Sequence, residues 1–180
     1  MVTIILGTGF EPMEAIAPCD LLRRGGVQVQ FAGIGAHDIT GGHGIRVHAD
    51  CLIEDVDPAQ TEMVILPGGL GGVASILACP AALELVTQVY DAGGYVAAIC
   101  AAPTILAKLH LTDGHKATCY PGMEEQMGSA VMICAGAVQD GRILTGRAAG
   151  SADEFGLLCL RALKGADAAD QVATGIVYRA

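Results

Sequence analysis

The chain has 180 residues with 10 basic and 19 acidic side chains, a net charge of −9, 52% hydrophobic residues and a mean hydropathy of +0.50. That acidity excludes a general phosphate-neutralising surface for nucleic acid, and no apolar run approaches the roughly 18 residues of a membrane span, so the apolar excess belongs to a core or a subunit interface. Seven cysteines, at 19, 51, 79, 100, 119, 134 and 159, include no C-x-x-C pair and no close Cys–His spacing, which argues against a disulfide scaffold or a metal site.

The length fits one domain over residues 1–180. Met1-Val2-Thr3-Ile4-Ile5-Leu6 has no basic stretch of the kind that opens a secretion signal, so a cytoplasmic location is expected. The same residues form a β-branched run that predicts a buried strand, with Gly7-Thr8-Gly9-Phe10 turning out of it. A helix follows, with Pro12 in its first turn, apolar spacing through Met13, Ile16, Ala17 and Leu21, and a stop at Gly25-Gly26. Glu14 falls near its start. Pro18 has no N–H for the Glu14 carbonyl, which predicts a kink there.

Residues 27–34 alternate as a strand with one wetter face, and residues 35–50 predict a small edge hairpin. A short helical turn is expected over residues 55–60, then a strand from Met63 to Leu66. Pro67-Gly68-Gly69-Leu70-Gly71-Gly72 reads as a glycine loop able to present backbone amides to a ligand. It lacks the Lys-Ser/Thr of a phosphate-binding P-loop. Residues 80–90 predict a helix, and residues 95–100 a strand ending at Cys100, with Pro103 in the first turn of the next helix. Further on, strands are expected at 116–120, 130–135 and 142–145, with 136–141 as a connection. Ser151-Ala152-Asp153-Glu154 reads as a capping box opening a helix to about Leu163, and residues 168–177 as a terminal helix or strand.

Strand and helix alternate throughout, so the expected class is α/β, with a mostly parallel sheet and helices on both faces. In such sheets ligands collect beyond the carboxyl ends of the strands. Cys100 and the Gly68-Gly69 loop are both strand ends of that kind. The start of a helix lowers the pKa of a nearby thiol, so Cys100 reads equally as a nucleophile or as a buried packing thiol. If the two strands are neighbours, the amides of Gly69 and Ala101 converge on its sulfur, a layout for covalent attack on a carbonyl.

Several ordered motifs resemble those of the ThiJ/PfpI superfamily, in the branch of the parkinsonism-associated protein deglycase and its YajL-like relatives. They are Gly9-Phe10-Glu11-Pro12-Met13-Glu14 with Asp20-Leu21-Leu22-Arg23-Arg24-Gly25-Gly26, Val64-Ile65-Leu66-Pro67-Gly68-Gly69, Ala97-Ala98-Ile99-Cys100-Ala101-Ala102-Pro103, and Ile143-Leu144-Thr145-Gly146-Arg147. The resemblance runs over nearly the whole chain and implies a flavodoxin-like sandwich, a homodimer, and no cofactor or metal. By position it implies Cys100 as nucleophile and redox-sensitive thiol, Glu14 as its proton-bearing partner, and the Gly69 and Ala101 amides as oxyanion donors. Ala101 stands where the protease-like branch has a histidine after the cysteine. The position of a later histidine found in glyoxalase-competent relatives aligns near Ser129, and His37, His43, His48, His110 and His115 are expected to be solvated or locally bonded.

The implied function is a glyoxalase- or deglycase-type enzyme that converts an α-oxoaldehyde, or a glycated protein carrying one, to a hydroxy acid. The alternative is an oxidative-stress sensor or redox-responsive chaperone in which Cys100 is oxidised without turnover.

Overall fold

The computed structural model describes residues 1–179. Three adjacent strands position everything that follows. β1 (Val2–Leu6) pairs in parallel with β2 (Val29–Gly33) on one side and with β6 (Met63–Leu66) on the other, and β6 pairs in parallel with β7 (Tyr95–Ile99). Leu66 lies opposite Ala98 in that register, so the chain leaves β6 and β7 side by side.

The sheet is completed by β5 (Cys51–Leu52), parallel at one edge, and by β11 (Ile143–Gly146) and β10 (Ala137–Asp140) at the other. The seven-stranded order is β10-β11-β7-β6-β1-β2-β5, with only β10 antiparallel. Because side chains alternate along each strand, the sheet buries two cores. Ile4, Ile65, Ala97 and Leu144 face α1 (Pro12–Arg24) and α5 (Ala152–Lys164), with α6 (Ala166–Gly175) outside them. On the opposite face Ile5, Val64, Val96 and Ile143 meet α2 (Leu70–Leu77), α3 (Pro80–Asp91) and α4 (Pro103–Lys108). The predicted α/β class with helices on both faces is the fold observed. Among the described residues no single helix is long and apolar enough to cross a membrane.

α1 runs continuously through Pro18, so the proline does not end the helix. Gly156 of α5 sits on that point: a Cβ there would lie 2.9 Å from the Cα of Pro18 and 2.8 Å from Leu21. The close approach of α1 and α5 fixes how α1, and Glu14 with it, lies on the sheet.

Several expected elements change. The glycine loop after β6 is only Pro67-Gly68-Gly69, because α2 begins at Leu70. Gly71 and Gly72 are poor helix formers, but they pack against Gly9 and Phe10, where a side chain would collide: a Cβ on Gly72 would lie 2.7 Å from the Cα of Phe10. Tertiary packing overrides propensity here. The helix expected from Ala101 starts at Pro103, after a turn.

The expected connection at 136–141 holds β10, and the strands expected at 116–120 and 130–135 shrink to β8 (Lys116–Ala117) and β9 (Val131–Met132), a separate parallel pair. Residues 38–48 form the hairpin of β3 (Asp38–Thr40) and β4 (Arg46–His48). The turn expected over 55–60 is two single 3-10 turns, Ile53–Asp55 and Pro58–Gln60. Ser151 makes no side-chain cap bond. It closes the 3-10 turn Ala149–Ser151 at φ −114°, ψ 13°, outside the extended conformation that aims a capping hydroxyl at the first helical amides.

Candidate active site

The carboxyl ends of β1, β6 and β7 open onto one place, and each contributes a residue to it. After β7 the chain turns sharply at Cys100, whose φ of +66° lies in the left-handed region. A side chain there is unfavourable by roughly 1–2 kcal/mol, so the turn must be held. Cys100 N–H donates to the Gly146 carbonyl at 2.9 Å, and its own carbonyl accepts the Tyr120 N–H at 2.7 Å. Thr104 Oγ1 donates to the Ala101 carbonyl at 2.7 Å, closing the turn into α4.

From β1, the loop 7–11 leads into α1 with Glu11 as its N-cap, and Glu14 follows in the first turn with 0% exposure. Between Glu14 and Cys100 lies Gly68, beyond β6. Its N–H donates to Glu14 Oε2 at 2.8 Å and its carbonyl accepts the Glu11 N–H at 3.0 Å, so both polar groups of one peptide are held by the start of α1. A Cβ on Gly68 would lie 2.6 Å from Glu14 Oε2 and 2.7 Å from the Cβ of Cys100. Only a residue without a side chain lets carboxyl and cysteine close on it from both sides.

Gly69, at φ +80°, turns the chain into α2. Its N–H and that of Ala101 lie close enough to the Cys100 sulfur to favour its thiolate. The structure therefore brings together Cys100, Glu14, Gly69 and Ala101, the four residues named from the sequence. Gly68 was legible there only as part of a flexible loop. The sequence signal was the Pro-Gly-Gly after an apolar strand, but nothing local says that a carboxylate lies against its second residue.

The electrostatics differ from the expectation of a helix-activated thiol. Burial pushes Glu14 up to about 7, aided by the nearby charge of Glu11 and opposed by Cys100 and the Gly68 N–H. Burial, and after it the charge of Glu14, push the Cys100 thiol up to about 12, against the pull of the Ala101 and Gly69 amides. α4 starts three residues beyond Cys100 and is six residues long; its positive end is outweighed. Carboxylate and thiolate compete for one negative charge, and the pair keeps a proton at neutral pH. Glu14 Oε1 is buried without a hydrogen-bond partner among the described residues, an orphan of the kind that marks a group waiting for a ligand or a transferred proton.

Among the described residues no histidine hydrogen-bonds Cys100 or Glu14. His37 bonds the Ala49 carbonyl, His48 bonds Asp38, His110 bonds Asp113 and His115 lies 3.4 Å from Asp140, each a local partner, while His43 is exposed in the loop after Gly42. Ser129, where a later histidine was placed by alignment, donates to Asp113 and is exposed. The residue of the later segment that backs onto Cys100 is instead Tyr120, 48% exposed. Sequence reasoning missed it because the segment joins the site through its backbone. Among the described residues no group of three His, Cys, Asp or Glu side chains is placed to hold a metal ion.

A pH dependence follows from Glu14. Its folded pKa of about 7 exceeds the ordinary 4.5, so its favourable contribution is complete below 4.5 and is lost as pH rises through 7. At about 1.4 kcal/mol per unit of displacement, the loss amounts to a few kcal/mol. Urea unfolding of the wild type should therefore show stability falling across that window relative to Glu14→Gln, whose profile should be flatter; parallel profiles would contradict the buried, proton-bearing carboxyl.

A model of the DJ-1/PfpI family matches residues 1–162. Protein dj-1beta of Drosophila melanogaster is 34% identical over 177 residues, covering 97% of this chain and 95% of that protein. Its crystal structure superposes with a TM-score of 0.93 over 99% of this chain and 98% of that one. Glutathione-independent glyoxalase DJR-1.2 of Caenorhabditis elegans is 32% identical over 157 residues, 86% of this chain and 83% of the relative. The structure of oxidized Toxoplasma gondii DJ-1 superposes with a TM-score of 0.94 at 27% identity, over 99% of this chain and 98% of that one. By motif order, fold and similarity along its length, the chain belongs to the DJ-1/PfpI family.

Proposed function

We propose that this protein is a cysteine-dependent enzyme acting on small α-oxoaldehydes such as methylglyoxal, or on their adducts with proteins, and releasing a hydroxy acid. The observation that carries the reading is the buried Glu14 carboxyl, with Oε1 unpartnered among the described residues, beside a Cys100 held at φ +66° with the Gly69 and Ala101 amides close to its sulfur. The relative named as a glutathione-independent glyoxalase supports the same reaction class.

The site's residues suffice for each step. Glu14 as carboxylate takes the thiol proton, and the Cys100 sulfur adds to the aldehyde carbon. The developing oxyanion is held by the Gly69 and Ala101 amides and receives the proton back from Glu14, giving a hemithioacetal. Glu14 then removes the proton from the former aldehyde carbon and delivers it to the neighbouring carbonyl carbon through an enediolate, leaving a thioester. Water hydrolyses the thioester to a hydroxy acid and restores the thiol. One carbon is oxidised as its neighbour is reduced, so no external redox partner enters.

The second reading, an oxidation sensor or redox-responsive chaperone, draws on the same amides, which suit the oxygens of an oxidised sulfur, and on the relative whose structure is of an oxidized form. One assay separates them: methylglyoxal consumption with lactate formation in wild type, Cys100→Ser and Glu14→Gln. Cys100→Ser should fall to the uncatalysed background and Glu14→Gln should lose roughly 100-fold or more. Lactate formation that is indifferent to Cys100 would sink the enzyme, and selective gain of two oxygens by Cys100 under mild peroxide would then favour the sensor.

A homodimer fits an apolar face on α1. Met13, Ile16 and Ile45, which are 58%, 44% and 47% exposed, line a groove of about 620 Å³ together with Ile176. Sedimentation should give a dimer for wild type and a monomer for Ile16→Glu; a monomeric wild type would refute it.

A further inference from the structure

Away from the Glu14–Cys100 pair, two of the remaining cysteines line one small cavity. β8 and β9 pair in parallel with Lys116 opposite Val131 and Ala117 opposite Met132. Both strands end there, and Cys119 and Cys134 each lie two residues beyond, where the Ala135 N–H turns back to the Ile133 carbonyl and Thr118 Oγ1 donates to the Ala135 carbonyl at 3.1 Å, which keeps the two segments side by side. Ala117, Cys119 and Met132 belong to one apolar cluster. Cys119 and Cys134 both line a cavity of about 150 Å³, along with Thr118, Glu124, Met132 and Arg147.

The two thiols differ in access. Cys134 is exposed, whereas Cys119 is 1% exposed and in contact with the core. An exposed thiol backed by a buried one is the arrangement in which the first meets an oxidant and the second resolves the product. The Arg147 guanidinium is near enough to Cys119 to favour its thiolate, although burial dominates and holds that thiol above its ordinary range. The neighbours in sequence are also informative. Cys119 precedes Tyr120 and Arg147 follows Gly146, and Tyr120 N–H and Gly146 carbonyl are the two backbone groups that hold Cys100 in its left-handed turn.

We propose that Cys119 and Cys134 form a reversible dithiol–disulfide pair oxidised by hydroperoxides. The Cys134 thiolate attacks the peroxide O–O bond, becoming a sulfenic acid and releasing the alcohol or water. The Cys119 thiol then attacks the sulfenic sulfur and expels water, so that two thiols and one hydroperoxide give one disulfide, one alcohol or water, and one water. A thiol reductant reverses the step. This pair is independent of the carbonyl chemistry at Cys100.

The test is stoichiometric cumene hydroperoxide added to dilute full-length protein, with alkylation before and after reduction and peptide mapping by mass spectrometry. It is run in wild type and in Cys100→Ser, which removes exchange with the reactive thiol. The expected result in both is a linked peptide pair containing Cys119 and Cys134, an intact mass lower by two hydrogens, and full reversal by dithiothreitol. Cys134→Ser, a surface change that leaves the core intact, should give no such link and leave Cys119 alkylatable on unfolding. Recovery of both thiols unlinked, over-oxidation of Cys134 without a link, or Cys134 joined only to a second chain would each overturn the proposal.

Discussion

The site depends on the peptide at Gly68, gripped by the first turn of α1 through its N–H to Glu14 and through its carbonyl to Glu11. Gly68 touches the carboxyl on one side and the cysteine on the other, at distances no Cβ tolerates. The parallel neighbours β1, β6 and β7 deliver the three pieces to the same end of the sheet. α1 also packs closely on α5 where Pro18 meets Gly156, one turn beyond Glu14. Burial then sets the chemistry, since a carboxyl removed from water retains its proton to higher pH. Fold and reactivity thus meet in one glycine.

How far the sequence was legible follows from what each residue needs to be recognised. Cys100 stands out because strand, turn and Pro103 are contiguous, and contiguity is what periodicity reads. Glu14 does not stand out by itself: an acid in the first turn of a helix is ordinary, and its importance came from resemblance before the coordinates showed it buried. Gly71 and Gly72 concealed α2, since their value lies in contact with Phe10, far away in sequence. β10 was hidden in a glycine-bounded stretch because a short antiparallel edge strand has little apolar patterning of its own. Ser151 carries the letters of a capping box without the backbone geometry. Tyr120 was invisible for a related reason: its bond to Cys100 is made by an N–H that every non-proline residue possesses.

The sulfur and the carboxyl exert opposed influences. The charge of Glu14 raises the thiol's reluctance to ionise, the thiol in turn eases ionisation of Glu14, and the amides of Gly69 and Ala101 favour charge on the sulfur. A thiol in this setting is not a free thiolate at rest. In the proposed mechanism it becomes nucleophilic when its proton moves to Glu14, which titrates at about 7. Under that proposal a carboxyl that works in both forms takes the place of a catalytic histidine. The chain belongs to the DJ-1/PfpI family, among whose members a similar protein is named a glutathione-independent glyoxalase.

The central claim, that Glu14 shares a proton with Cys100 near neutral pH, is open to direct observation. Carbon-13 NMR of protein labelled at glutamate side-chain carboxyls, assigned by comparison with Glu14→Gln, reports the titration of this one group. The account predicts a midpoint near 7 for Glu14. A midpoint at the ordinary carboxylate value of about 4.5 would contradict it.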